Sequence, residues 1–158
     1  MSKPDFEANL KPNDYWQTPW YIIDAVNGLW PNGWMDPCPA APKLDGLSYS
    51  WCQPAYINPP FSNYLAWANR ANFQGNEQLF ICAHDHSTER FQTLMPRATA
   101  LCLLHARVQF ITPSGDVGKS PAQCHTLIYR PGCNGNEDNT ERFKQVFAHL
   151  GLCVEVAA

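Results

Sequence analysis

The sequence lacks the patterns that mark several common classes of protein. No apolar run approaches the roughly twenty residues that a membrane-spanning helix needs, and residues 1–5 contain no apolar signal region. Charged residues make up only 16% of the chain and the net charge is −3, unlike proteins that hold nucleic acid chiefly through phosphates. We therefore expect a cytoplasmic protein without a membrane segment and with a weak non-specific grip on nucleic acid.

The chain also lacks a Cys-x-x-Cys pair, although it contains seven cysteines. Most of them lie in apolar stretches such as residues 81–83, 101–103 and 152–154. Buried cysteines that behave as small apolar side chains fit this pattern better than a disulfide framework or a zinc site does.

Two further motifs are missing. No G-x-G-x-x-G follows the first predicted strand, and Gly118-Lys119-Ser120 is not a phosphate-binding loop because Pro113 stands where that motif needs its first glycine. No G-x-S-x-G occurs, so serine hydrolase chemistry has no support.

The length of 158 residues fits one domain, and apolar runs alternate with helical patterns along most of it. We predict a loose N-terminal arm over residues 1–13 and a single domain over residues 14–158. Runs that are apolar on both faces are typical of parallel strands, so the prediction is an α/β sandwich with a mostly parallel sheet and helices on both faces. The predicted strands cover residues 34–36, 55–58, 78–83, 99–104, 124–129 and 152–156, and the predicted helices cover residues 20–30, 65–71, 88–95 and 141–150.

The tetrapeptide Asn58-Pro59-Pro60-Phe61 stands at the end of a short predicted strand. Asparagine offers a carbonyl acceptor, the two prolines hold the backbone extended, and an aromatic ring follows. These features suit a site that grips the amino group of a planar base and stacks against the base. A polar turn that closes the strand is the structural alternative.

His84-Asp85-His86 follows a predicted buried strand and could hold a metal ion, because residues i and i+2 of an extended segment share a face. His105 or Asp36 could add ligands. The spacing matches no established metal template, so an ordinary strand-end turn is the stronger interpretation.

Several segments occur in an order that resembles the DNA N6-adenine methyltransferases, and most closely the small phage-type Dam-like family. The segments are Thr18-Pro19 before a helix, Asp36-Pro37-Cys38 at a strand end, residues 45–51 (DGLSYSW), the tetrapeptide, and residues 106–110 (ARVQF). The resemblance covers roughly residues 14–130 and implies a Rossmann-like methyltransferase sandwich in abbreviated form.

The resemblance also implies a function. Such enzymes use S-adenosylmethionine and flip the target base out of the DNA helix. The resemblance makes Asn58, Pro59, Pro60 and Phe61 the catalytic residues, with the Asn58 side chain and the Pro59 carbonyl accepting the two amino hydrogens and Phe61 stacking on the base. The cofactor-binding residues that it implies are Thr18, Pro19, Asp36, Pro37, Cys38 and Asp45.

Some features depart from the family pattern. Only residues 37–57 separate Asp36 from Asn58, which is short for a complete cofactor pocket. There is no room for a separate target-recognition domain, so DNA specificity would come from loops such as 112–121 and 131–139 or from the second subunit of a homodimer. The alternatives are a catalytically inactive binding module of methyltransferase-like fold and a metal-dependent enzyme that uses His84, Asp85 and His86. The residues alone leave adenine N6 and cytosine N4 both open as targets.

Overall fold

A computed structural model of the chain describes residues 16–119 and 123–157. The predicted arm over residues 1–13 lies outside these residues. The helices are α1 (Trp20–Leu29), α2 (Tyr64–Ala71), α3 (Glu89–Leu94) and α4 (Thr140–Phe147), and the strands are β1 (Ala55–Ile57), β2 (Gln78–Ala83), β3 (Ala100–Leu104), β4 (His125–Arg130) and β5 (Gly151–Glu155). Short 3-10 turns, Phe61–Asn63 and Met95–Arg97, adjoin α2 and α3.

The five strands form one mixed sheet in the order β1-β2-β4-β3-β5. Only β1 and β2 pair in parallel, whereas β2–β4, β4–β3 and β3–β5 are antiparallel. The prediction of a mostly parallel Rossmann-like sandwich is therefore wrong. It failed because a strand covered on both faces is apolar throughout whichever way it runs, so the sequence pattern does not report strand direction.

The predicted strand at residues 34–36 is reduced to a single parallel bridge between Met35 and Ala55. The Met35 amide donates to the Pro54 carbonyl at 2.8 Å, and the Tyr56 amide donates to the Met35 carbonyl at 3.0 Å. This bridge holds the Asp36 turn beside the edge strand β1.

Helices cover both faces of the sheet because side chains alternate along each strand. On one face, α1 and α4 pack over Tyr56, Leu79, Ile81 and Leu127. On the other face, α2 and α3 pack over Ile57, Phe80, Cys82 and Ile128. None of the helices among the described residues is both long and apolar enough to traverse a membrane.

Candidate active site

Four chain segments meet at one edge of the sheet, where β1 and β2 end. Because these two strands are parallel, Asn58 and His84, which follow them, lie at the same edge. The parallel bridge at Met35 brings Asp36 there as well. Strand β4 runs the other way, and its first residue His125 pairs with Ala83, the last residue of β2.

A cavity of about 330 Å³ opens at this edge. The whole predicted tetrapeptide, Asn58-Pro59-Pro60-Phe61, lines it. The remaining lining residues come from other parts of the chain: Trp16, Tyr64, Ile81, Ala83, Arg90, Phe110, Gln123 and His125. The fold thus joins the tetrapeptide to aromatic, apolar and basic side chains that are distant in sequence.

The backbone of the tetrapeptide is extended and leaves an acceptor open. Pro60 has φ −52° and ψ 128°, and its carbonyl accepts from the Asn63 amide at 3.1 Å, which begins the 3-10 turn. Pro59 is buried, yet none of the described residues donates a hydrogen bond to its carbonyl. A backbone carbonyl that has no protein donor can accept a hydrogen bond from a ligand in the cavity that Pro59 lines.

The Asn58 side chain is held by Thr18. Asn58 Nδ2 donates to Thr18 Oγ1 at 3.2 Å, and the same hydroxyl lies 2.9 Å from the Tyr56 hydroxyl. In this arrangement Asn58 Oδ1 accepts no hydrogen bond within the described part of the chain. The resemblance implies that Thr18 binds the cofactor; in the structure its hydroxyl contacts Asn58 and makes no cap hydrogen bond to the first turn of α1.

Phe61 is 65% exposed, and the Arg90 guanidinium lies over its ring at 5.2 Å from the centroid. An exposed aromatic ring at a cavity mouth can stack on a planar ligand, and the cation–π contact restricts its position. Sequence reasoning missed Arg90, because it follows β2 in α3 and no local motif links it to the tetrapeptide.

His125 is the second residue that sequence reasoning missed. It lines the cavity with its ring edge-on to Phe110, at a centroid distance of 5.3 Å. Its Nδ1 is buried and has no hydrogen-bond partner among the described residues, and burial lowers the pKa of the imidazole, so the neutral form is favoured. The only sequence signal was a histidine at the start of a buried strand.

The Asp36 turn lies against the tetrapeptide. Asp36 Oδ1 accepts from the Cys38 amide at 2.9 Å, and the Asn58 backbone lies close enough to the Cys38 thiol to lower its pKa. Asp36 is accessible to solvent but crowded by protein atoms, and this desolvation raises its pKa to about 6. Burial, followed by the charge of Asp36, raises the pKa of the Cys38 thiol, so Cys38 is neutral. The structure thus brings Asp36 and Cys38 next to Asn58.

The segment 45–51 folds onto this turn. Asp45 Oδ1 accepts from the Leu47 amide at 3.0 Å, and the Trp51 indole donates to the Gly46 carbonyl at 2.9 Å. Gly46 packs so tightly that an added Cβ would lie 1.9 Å from the Pro37 carbonyl oxygen. These contacts give the side chains of residues 45–51 a structural role, and the cofactor contact that the resemblance implies for Asp45 stays a prediction.

Pro19 is buried and precedes the first residue of α1, and its carbonyl accepts from Ile22 and Ile23. It lines a second groove beside α1 instead of the cavity. Of the predicted cofactor residues, Pro19 is thus turned toward α1, while Asp36, Pro37 and Cys38 form one turn next to Asn58.

The histidines proposed for a metal are engaged otherwise. His84 Nδ1 lies 2.6 Å from Thr126 Oγ1, and its ring meets the Phe91 ring edge-on. Asp85 accepts from the Ser87 hydroxyl at 2.9 Å. Across residues 16–119 and 123–157, no group of three or more histidine, cysteine or acidic side chains is arranged to hold a metal ion.

Comparisons of the chain with protein-family models, with curated proteins and with solved structures found no match. The assignment of function therefore depends on the residues and geometry of this cavity.

Proposed function

We propose that the protein is an S-adenosylmethionine-dependent DNA methyltransferase that acts on the N6 amino group of a flipped adenine. The observation that carries this proposal is the pair of open acceptors at the cavity, Asn58 Oδ1 and the Pro59 carbonyl. An exocyclic amino group has two hydrogens, and two neighbouring acceptors match it. The order of the sequence segments resembles that of N6-adenine methyltransferases and therefore favours adenine over cytosine as the target base.

The protein side of the reaction is mainly positioning. When both amino hydrogens are bound by Asn58 and Pro59, the nitrogen lone pair is drawn out of conjugation with the ring and is better able to attack the methyl group of the cofactor. The carbon–sulfur bond of the sulfonium would then break to leave a neutral thioether, and the amino nitrogen would release one proton to water. Phe61 stacks on the base, and Arg90 limits the movement of the Phe61 ring. Holding the reactants in line lowers the barrier without a covalent enzyme intermediate.

The turn at residues 36–38 fits the place of the cofactor, which supplies an electrophilic methyl group on a sulfonium. Asp36 is an accessible carboxylate that faces no cation in a described ion pair, and it adjoins Asn58 through Cys38. A hydroxyl has one donor and two acceptor positions for hydrogen bonds. The Thr18 hydroxyl uses two of these positions to bond Asn58 and Tyr56, so one position is left for a ligand. We assign Asp36, Cys38 and Thr18 to this binding site.

We further infer that the enzyme works in the cytoplasm, that adenine-containing DNA is its substrate, and that a homodimer supplies additional contacts to DNA. The loop at residues 112–119 is held by bonds among Thr112, Ser114 and Asp116. A loop that is stabilised by its own side chains can present a fixed surface to DNA.

The short segment between Asp36 and β1 favours a second candidate, a catalytically inactive module that binds DNA with the same cavity. Residues 37–54 contain neither a helix nor a strand of the sheet, so one wall of a usual cofactor pocket is absent there. This candidate predicts DNA binding without cofactor binding.

Mass spectrometry of nucleosides from DNA incubated with protein and isotopically labelled S-adenosylmethionine tests the proposal. We expect labelled N6-methyladenine from the unmodified protein and a loss of about a hundredfold or more in Asn58→Ala, as for removal of one preorganised hydrogen-bonding group. Asn69→Ala is the matched control, since Asn69 is exposed on α2.

Full activity of the Asn58→Ala variant would refute the role of Asn58. Calorimetry separates the two candidates, because the inactive module shows no heat of cofactor binding even near millimolar concentration, the upper end of ordinary substrate affinities. If the labelled product were N4-methylcytosine instead of N6-methyladenine, the role of the cavity in methyl transfer would stand, but adenine would be the wrong target base.

A further inference from the structure

A second depression, which we call the α1 groove, lies beside the first turn of α1. Its volume is about 670 Å³. Trp20 and Asp24 of α1 form one wall, and residues 104–107, 109 and 111 form the other, together with Val117, His149 and Leu150. The backbone amide of His105 donates to the Leu150 carbonyl at 3.1 Å, which joins the two parts of the second wall.

Trp20 is the most notable side chain of the groove because it is 77% exposed. The buried side of α1 consists of Ile22, Ala25, Val26 and Leu29, so packing of the helix does not require a tryptophan at position 20. Val117, across the groove, is 65% exposed. Large apolar side chains that are exposed together at a concave surface mark a binding site more often than single ones do.

The groove carries hydrogen-bond donors that suit an anion. Arg107, His105 and His149 line it and are exposed, and Asp24 is the only acidic residue among the described residues that line it. With histidines counted as neutral, as they are in the net charge of −3 for the whole chain, Arg107 and Asp24 balance each other in the groove, so the groove lacks the acidic excess of the protein. Guanidinium and imidazole N–H groups donate hydrogen bonds to phosphate oxygens.

The groove and the cavity share a wall. The backbones of Gln17 and Ile111 bond to each other in both directions, at 2.8 and 2.9 Å. Their neighbours Trp16 and Phe110 line the cavity, whereas Pro19 and Ile111 line the groove. A strand that leaves a base in the cavity therefore reaches the groove within a few nucleotides.

We propose that the α1 groove binds the single-stranded DNA segment that flanks the flipped base, with Trp20 stacked on an unpaired base and Arg107 beside the phosphates. Aromatic stacking with nearby positive charge is how proteins hold single strands without reading their sequence. The inference rests on the proposed function for its choice of partner, but it requires no methyl transfer.

Fluorescence anisotropy with a labelled thymidine oligonucleotide tests the groove without cofactor and without adenine. Trp20→Ala should weaken binding about 5- to 100-fold, the range for loss of one stacked base. Arg107→Gln should weaken binding and reduce the slope of log affinity against log salt concentration by about 0.7. The matched controls are Phe73→Ala, an 84% exposed aromatic that follows α2 on the other face of the sheet, and Lys43→Gln, an exposed cation outside the groove.

Any of three results would overturn the proposal. The first is unchanged binding in Trp20→Ala, and the second is an equal loss of binding in Phe73→Ala. The third is no binding by the unmodified protein at about 100 μM, the weak end of non-specific affinities. If Trp20→Ala loses DNA binding while the unmodified protein transfers no methyl group, the groove is supported and the methyltransferase proposal fails. If Trp20→Ala binds and methylates normally, the groove inference alone fails.

Discussion

The role of the Thr18 hydroxyl in the structure differs from the role that its position in the sequence suggests. In the sequence it precedes a proline and a helix, which is typical of a cap. In the structure its hydroxyl joins Asn58 and Tyr56, residues that are 40 and 38 positions away. Thr18 thus positions the amide on which the proposed reaction depends, and the two residues it joins belong to the end of β1.

Thr18→Val should lower kcat for methyl transfer about tenfold or more, because loss of the hydroxyl leaves the Asn58 amide free to rotate, and a factor of ten corresponds to about 1.4 kcal/mol. Thr18→Ser retains the hydroxyl and should keep most of the activity. Single-turnover rates at saturating DNA and cofactor measure the effect separately from binding. Equal losses in both variants, or none in Thr18→Val, would contradict the positioning role.

The sequence alone could not identify Arg90 and His125 as residues of the cavity. Each is an ordinary polar residue in its own segment, and only the pairing of β2 with β4 brings His125 to the cavity that the tetrapeptide lines. The sequence did indicate the tetrapeptide as a site. Its acceptor groups and its aromatic ring belong to four consecutive residues, Asn58, Pro59, Pro60 and Phe61, and so can be seen in a linear sequence.

At the element scale, the two adjoining turns at residues 36–38 and 45–48 depend on one close approach. Gly46 meets the Pro37 carbonyl oxygen and the Trp67 ring, where an added Cβ would lie 1.9 and 2.7 Å from them. The Trp51 ring stacks on Trp67 beneath the turn, with ring centroids 6.2 Å apart. The geometry leaves no space for a side chain at position 46.

Gly46→Ala should therefore lower the free energy of unfolding by about 1–3 kcal/mol through overpacking. It should also weaken cofactor binding in calorimetry, because the displaced Pro37 carries Asp36 and Cys38 with it. Gly75→Ala is the matched control, since an added Cβ there has no neighbour within 4 Å. If Gly46→Ala binds cofactor as well as Gly75→Ala does, the 36–38 turn is not part of the cofactor site.

Helix positions followed well from the sequence, whereas the direction of the strands did not. The apolar period predicted a helix over residues 20–30, and α1 spans Trp20–Leu29. The same reasoning could not show that β4 enters antiparallel between β2 and β3, because this order depends on contacts between distant segments.

Across the whole molecule, a buried carboxylate joins the sheet to two helices. Glu77 is 6% exposed and has no cation within the described ion pairs. It accepts from the Trp30 indole at 3.1 Å, from the Tyr129 hydroxyl at 2.7 Å and from Asn139 Nδ2 at 2.8 Å. These donors come from the end of α1, from β4 and from the residue before α4. The Glu77 side chain therefore links three elements that are far apart in the sequence.

Tyr129→Phe should lower the free energy of unfolding by about 1–3 kcal/mol, because it leaves the Glu77 carboxylate and the Asn139 amide each short of one partner. Thermal denaturation followed by far- and near-ultraviolet circular dichroism measures the loss and shows whether one transition is kept. Tyr21→Phe is the control, because Tyr21 is only half-buried and its hydroxyl makes no hydrogen bond to another described residue. A loss as large in Tyr21→Phe would show that the Glu77 cluster is not the cause.

The sequence by itself determined the contiguous features of this protein: the helices, the apolar runs and the tetrapeptide whose side chains are suited to an amino group. These depend on neighbours within a few residues, so they are present in the linear pattern. Only the tertiary structure decided the direction of the strands, the bond from Thr18 to Asn58 and the entry of Arg90 and His125 into the cavity. Those features depend on which distant segments pack together, and packing in a closed core is a property of the whole chain.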